Sequence, residues 1–79
     1  MMLTIVSPEK TLYSGEAESV LVPATQGQFE ILQNHAAIIS SLQSGEVVYR
    51  TAEGEQRQEI QGGFVEVNHN QISICVETK

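Results

Sequence analysis

The sequence predicts an all-β domain, an antiparallel β-sandwich or flattened barrel of about nine or ten short strands. Three observations point there. Apolar residues recur at every second position rather than every 3.6. Turn-forming residues interrupt the chain about every eight to twelve positions. No stretch holds a helical period, so no helix and no C-terminal helical hairpin is expected.

The elements follow in order. Leu3 to Val6 reads as a strand stopped by Ser7-Pro8. Thr11-Leu12-Tyr13 is a second, ended by Ser14-Gly15, and Glu18 to Val22 a third, closed by Pro23. Phe29 to Leu32 and His35 to Ser41 follow, separated by Gln33-Asn34. Glu46 to Thr51 turns at Ala52-Glu53-Gly54 into Glu55 to Gln61. That last strand carries one apolar residue, Ile60, which suits a sheet edge where charge discourages stray pairing. Gly62-Gly63 then breaks the ladder, as a bulge or a close backbone approach. Phe64 to Val67, with Val65 and Val67 inward, and Gln71 to Glu77, with Ile72, Ile74 and Val76 inward, form a hairpin around Asn68-His69-Asn70, because asparagine tolerates left-handed turn positions.

The composition narrows function. The 79 residues make one domain, 1–79, with 41% hydrophobic and 18% charged residues. Ten glutamates against four cations leave a net charge of −6. Lys10, Arg50, Arg57 and Lys79 are scattered, so neither a nucleic-acid face nor attraction to anionic lipid is expected. A single cysteine, Cys75, makes no internal disulfide and suits a reducing compartment. No basic, apolar leader and no run approaching about 20 apolar residues is present, so the chain is expected to be soluble and to meet a membrane only through protein partners.

Catalytic chemistry finds little purchase. His35, His69 and Cys75 match no zinc spacing, so no metal is expected. No nucleophile elbow surrounds any serine. The glutamates read as solvated faces in a domain too small for a cleft. Gly62-Gly63 precedes a strand, whereas a phosphate loop needs a helix N-terminus. Acidic lipoyl and biotinyl domains are similar in size, but their hairpin lysine motif is missing. A binding module remains. The uncharged loop Ala24 to Gln28 is one candidate surface. His35 to Leu42, apolar at adjacent positions, is a strand either covered on both faces or presenting one face to a partner.

Met2-Leu3-Thr4-Ile5-Val6-Ser7-Pro8-Glu9, Leu12 to Val20, Gly27-Gln28-Phe29, His35-Ala36 and Gly62 to Val67 together resemble, in order and over the whole chain, the epsilon subunit of F-type ATP synthase, whose mitochondrial equivalent is called delta. The resemblance implies a non-catalytic central-stalk subunit in the rotor, linking gamma to the c-ring and coupling ion translocation to ATP synthesis. It places the protein peripherally at the cytoplasmic face of the bacterial plasma membrane, in the F1 sector. It covers the sandwich only. The regulatory helices of that family have no counterpart before Lys79, so no nucleotide site and no cofactor is expected. Carried over by position, Thr25, Gln26, Gly27, Gln28 and Phe29 would face the c-ring. His35, Ala37, Ile39, Ser40 and Leu42 would meet gamma. Glutamines flank Gly27 where acidic residues are frequent, Gln33-Asn34 replaces a usual Pro-Gly, and Glu30 stands where glycine is common. The alternative is a stand-alone β-sandwich binding module with an unrelated partner.

Overall fold

A computed structural model describes residues 1–78; Lys79, one of the four cations, lies outside the described residues. Among those residues there is no helix. Nine strands form: β1 (Met2–Val6), β2 (Thr11–Glu16), β3 (Ser19–Ala24), β4 (Gly27–Ile31), β5 (Ile38–Leu42), β6 (Gly45–Thr51), β7 (Gly54–Ile60), β8 (Gly62–Asn68) and β9 (Gln71–Glu77). They are ordered β2-β1-β9-β8-β5-β3-β6-β7, with β4 on the free side of β3. The sheet turns its corner at β3. Ser19 to Leu21 pair with β6, while β5 is joined through the single pair Ala24–Leu42. This divides the strands into two layers, β2-β1-β9-β8-β5 and β4-β3-β6-β7. The molecule measures 29 × 26 × 18 Å, and its short dimension suits two sheets packed about 10 Å apart.

Alternation builds the core. Leu3 and Ile5 of β1, Val65 and Val67 of β8, and Ile72, Ile74 and Val76 of β9 face inward from one layer. Val20, Val22, Ile31, Val47 and Ile60 meet them from the other. No polar or charged residue is buried among the described residues. At one margin Tyr13 of β2 and Tyr49 of β6 close the gap between layers, their ring centroids 4.7 Å apart and tilted by 44°.

Several expectations are confirmed. β7 is an edge strand, and β8 and β9 pair as a hairpin. His69 and Asn70 form its two-residue turn, at φ 50° and 60°. Positive φ at both positions marks a type I′ turn, whose twist matches the strands.

Others are corrected. β2 runs through Ser14 and Gly15, because β1 pairs with it as far as Met2–Glu16. β3 runs through Pro23 to Ala24. The Pro23 carbonyl accepts from Gln43 N–H at 2.9 Å, so its missing N–H points the same way, into the gap between β6 and β5, and no ladder bond is lost. Gly62 and Gly63 do not break the ladder; they open β8, opposite Glu77 and Val76. Gly63 is instead the close backbone approach, since a Cβ there would lie 2.9 Å from Val76 Cα, while Gly62 has ordinary room. The sandwich is not wholly antiparallel: β1 and β9 run parallel, Ile5 beside Ile74.

Tyr49 supplies a test of the core. It is 8% exposed, and its hydroxyl pKa is raised above the ordinary value, first by burial and then by the nearby Tyr13. The folded state therefore holds this proton more tightly than the unfolded chain. Its contribution is complete below about pH 10 and is lost as pH rises through the raised folded value. Urea midpoints should fall between pH 8 and pH 11, and Tyr49→Phe should lessen that fall. An identical fall in the variant would contradict the assignment.

Candidate functional site: a docking face

The β3–β4 hairpin has only two residues outside its strands, Thr25 and Gln26, so the proposed c-ring loop is a tight turn. Gly27 follows at φ 132°, a backbone region that disfavours side chains. Two contacts tie the turn to β5. Thr25 N–H donates to the Ser41 carbonyl at 3.0 Å, and the two hydroxyls lie 2.8 Å apart. Thr25, Gln26, Gly27 and Gln28 are exposed in one run. Phe29 differs: it packs against the core and stacks on His35, with centroids 6.1 Å apart.

Pairing places the other candidates. Ile31 lies opposite Val20 at the far end of the hairpin from Thr25. The chain then reverses at Leu32–His35, where His35 N–H donates to the Leu32 carbonyl at 3.1 Å and Asn34 takes φ 66°. Positive φ at the third residue alone is the pattern of a type II turn. This turn delays β5, which begins at Ile38 rather than His35. His35 is half-buried, its Nδ1 2.7 Å from the Ala36 carbonyl, and Ala37 is exposed. His35 and the Thr25–Gln26 turn thus occupy opposite ends of the β4 ladder, bridged by Phe29.

Along β5 the alternation is clear. Ile38 and Ser40 lie opposite the buried Val67 and Val65, and Leu42 is 5% exposed. Leu42 is therefore a core residue whose side chain is withheld from any partner. Ile39 points the other way and is 73% exposed, so β5 is not covered on both faces. Beside it Phe64 of β8, opposite Ser41, is 50% exposed. In register, Phe64 lies next to Cys75 of β9, and Cys75 next to Val6 of β1. This apolar row borders an open hollow of about 470 Å³ that Pro8 helps to line. Sequence reasoning did not single out Phe64 or Val6. The signal was available for Phe64, an aromatic residue on the opposite parity from Val65 and Val67.

The charged residues are arranged differently. On β6 and β7 Arg57 bridges Glu46 at 2.9 Å and Glu55 at 2.8 Å, and Arg50 lies 3.7 Å from Glu55. Hydrogen bonds to Glu46 and then Glu55 raise the Arg57 pKa further. Two of the four cations are thus matched by glutamates on an exposed surface. Among the described residues no three His, Cys, Asp or Glu side chains gather as metal ligands. The arrangement offers flat apolar surface and exposed turns, which suit docking.

Comparison with known proteins extends this picture. The family model for the ATP synthase delta/epsilon chain, beta-sandwich domain, matches residues 1–79. An ATP synthase epsilon chain of Leptospira interrogans is 40% identical over 77 residues, covering 98% of this chain and 61% of that one. An ATP synthase epsilon chain of a Nostoc species is 36% identical over 78 residues, covering 96% and 57% respectively. The chain thus spans less than two thirds of the length of these curated relatives. In the cryo-EM structure of the Euglena gracilis mitochondrial ATP synthase OSCP/F1/c-ring, one chain superposes with a TM-score of 0.88 at 20% identity, covering 96% of this chain and 49% of its own length. A chain of the Tetrahymena thermophila mitochondrial ATP synthase central stalk and c-ring gives 0.82 at 20% identity, covering 98% and 63%. The two-layer fold recurs in both, and with the match along its full length the chain belongs to the ATP synthase delta/epsilon chain, beta-sandwich domain, family.

Proposed function

We propose that this chain serves as the sandwich part of a non-catalytic central-stalk subunit of a rotary, ion-translocating ATP synthase, docking on gamma and on the c-ring and turning with both. The names of its relatives support this reading, and so does the surface chemistry. The observation that carries it is that Ile39 and Phe64, diagonal neighbours across β5 and β8 with Glu66 directly opposite Ile39, both face outward next to exposed, uncharged turns. Ile39, Ala37 and His35 would meet gamma, with Ser40 at the margin and Leu42 supporting from the core. Thr25, Gln26, Gly27 and Gln28 would meet polar loops of the c-ring, with Phe29 fixing the turn's base. Neutral hydrogen bonds would serve there in place of ion pairs. Its location would be the cytoplasmic face of the bacterial plasma membrane, peripheral and held by protein contacts. A close-packed sandwich deforms little, which suits an element that transmits torque.

Ile39→Asp tests the reading. Ile39 lies outside the core, so the fold should survive. Loss of a buried isoleucine at an interface costs about 2 kcal/mol, roughly a thirtyfold weaker affinity for gamma. Unchanged affinity in a titration against purified gamma would remove this face from the proposed interface. Failure of the unaltered chain to bind gamma or the c-ring would remove the stalk reading and favour an unrelated partner.

A further inference from the structure

Among the described residues three non-glycine residues adopt positive φ: Asn34, His69 and Asn70. All three lie at one end of the sandwich, in turns 36 positions apart in sequence. Two hydrogen bonds join these turns reciprocally. Asn34 N–H donates to Asn70 Oδ1 at 2.7 Å, and Asn70 Nδ2 donates to Asn34 Oδ1 at 3.1 Å. Asn70 is itself anchored, since its carbonyl accepts from Met2 N–H at 2.9 Å and its hairpin is held by the β8–β9 ladder.

From this geometry we infer that Asn34 and Asn70 are positioning residues: their side-chain clasp fixes the Leu32–His35 turn and so presents His35 and Ala37 to the docking partner. The inference rests on the stalk reading above. A type II turn is most rigid with proline at its second position and glycine at its third. Here those positions hold Gln33 and Asn34, neither of which fixes the turn by itself. The left-handed conformation is tolerated by asparagine, and the clasp holds it from outside the turn. Without the clasp the turn would sample other conformations, and docking would carry the entropy of ordering it. Stacking of His35 on Phe29, with ring centroids 6.1 Å apart, holds the next residue.

Glycine substitutions separate the clasp from the backbone, because glycine keeps positive φ and removes only the side chain. In the isolated chain, Asn70→Gly should speed hydrogen exchange at the Asn34 amide roughly fivefold to tenfold, as expected for a lost hydrogen bond. Asn34→Gly should produce a smaller rise, since only one of the two bonds goes. Affinity for gamma should fall about threefold to tenfold in Asn70→Gly by relief of preorganisation. Adding Gln33→Pro to that variant should restore it, because the proline fixes the turn without replacing Asn70. Among the described residues the Gln33 N–H makes no backbone hydrogen bond that proline would remove, but Gln33 Oε1 accepts from the N-terminal ammonium at 3.4 Å, so the rescue is read against Gln33→Pro alone.

Unaltered exchange at Asn34 in Asn70→Gly would overturn the clasp. Weakened binding that Gln33→Pro does not restore would overturn the positioning role and make Asn70 a direct contact. If exchange responds but the unaltered chain does not bind gamma, the stalk reading falls while the clasp's hold on the turn is supported.

Discussion

Gly63→Val will strip the chain of between about a third and all of its folding stability. Gly63 sits at φ 150° in β8, between Leu42 of β5 and Val76 of β9. A Cβ placed there would overlap the Cys75 carbonyl oxygen and lie 2.9 Å from Val76 Cα. Both obstacles are backbone atoms of a central strand, so neither can rotate away. Relief would require β8 and β9 to separate where Val76 seals the core. A side chain also raises the cost of the positive φ. The combined penalty is about 4 kcal/mol or more, against about 4–12 kcal/mol for a whole domain of this length. Circular dichroism and a urea titration would check it. Gly63→Ala should already lower the midpoint substantially. A folded valine variant with an unchanged midpoint would show that the two strands can part freely, contrary to the packing.

The same pair of glycines shows how far the sequence reaches. A close approach at Gly63 was legible, because glycine next to a strong strand pattern has few other uses. Their place inside the ladder was not, because pairing partners are not written in local pattern. β1, β8 and β9 were readable because apolar residues recur at every second position, Leu3 and Ile5 about Thr4, Val65 and Val67 about Glu66, and Ile72, Ile74 and Val76 about Ser73 and Cys75. The parallel pairing of β1 with β9 was hidden, since a half-buried strand looks alike whichever way its neighbour runs. Pro23 misled for a physical reason: proline is excluded only where an N–H is needed, and the split edge of β3 needs none there. The segment His35 to Leu42 left two readings open, cover on both faces or one face presented to a partner; a turn governs its first residues, and Ile39, left to solvent, excludes the first. Position in sequence located the candidate docking residues; only the register distinguished the outward Ile39 from the inward Leu42.

Behind the proposed docking face lies the row that holds it, and Ile74→Ala should be the most damaging truncation there. Ile74 pairs with Val65 on one side and Ile5 on the other, and all three are fully buried. The row therefore crosses β8, β9 and β1, the same strands whose outer surfaces carry Phe64, Cys75 and Val6. Close packing from Val20, Val22 and Ile31 in the opposite layer leaves little freedom to collapse into the space left by a truncation. The cost should be about 3–4 kcal/mol, with Ile74→Val costing about 1 kcal/mol as a graded control. In urea the midpoint should drop in that order at constant slope, because the exposed surface on unfolding barely changes. A cost below about 1 kcal/mol for alanine would mean that the two layers close over the gap. Binding supplies the second readout. Ile74 touches no partner, so any loss of affinity for gamma should equal the unfolded fraction alone and disappear when corrected for it, whereas the loss in Ile39→Asp should persist in a fully folded chain. That contrast separates the residues that make the face from the residues that meet the partner.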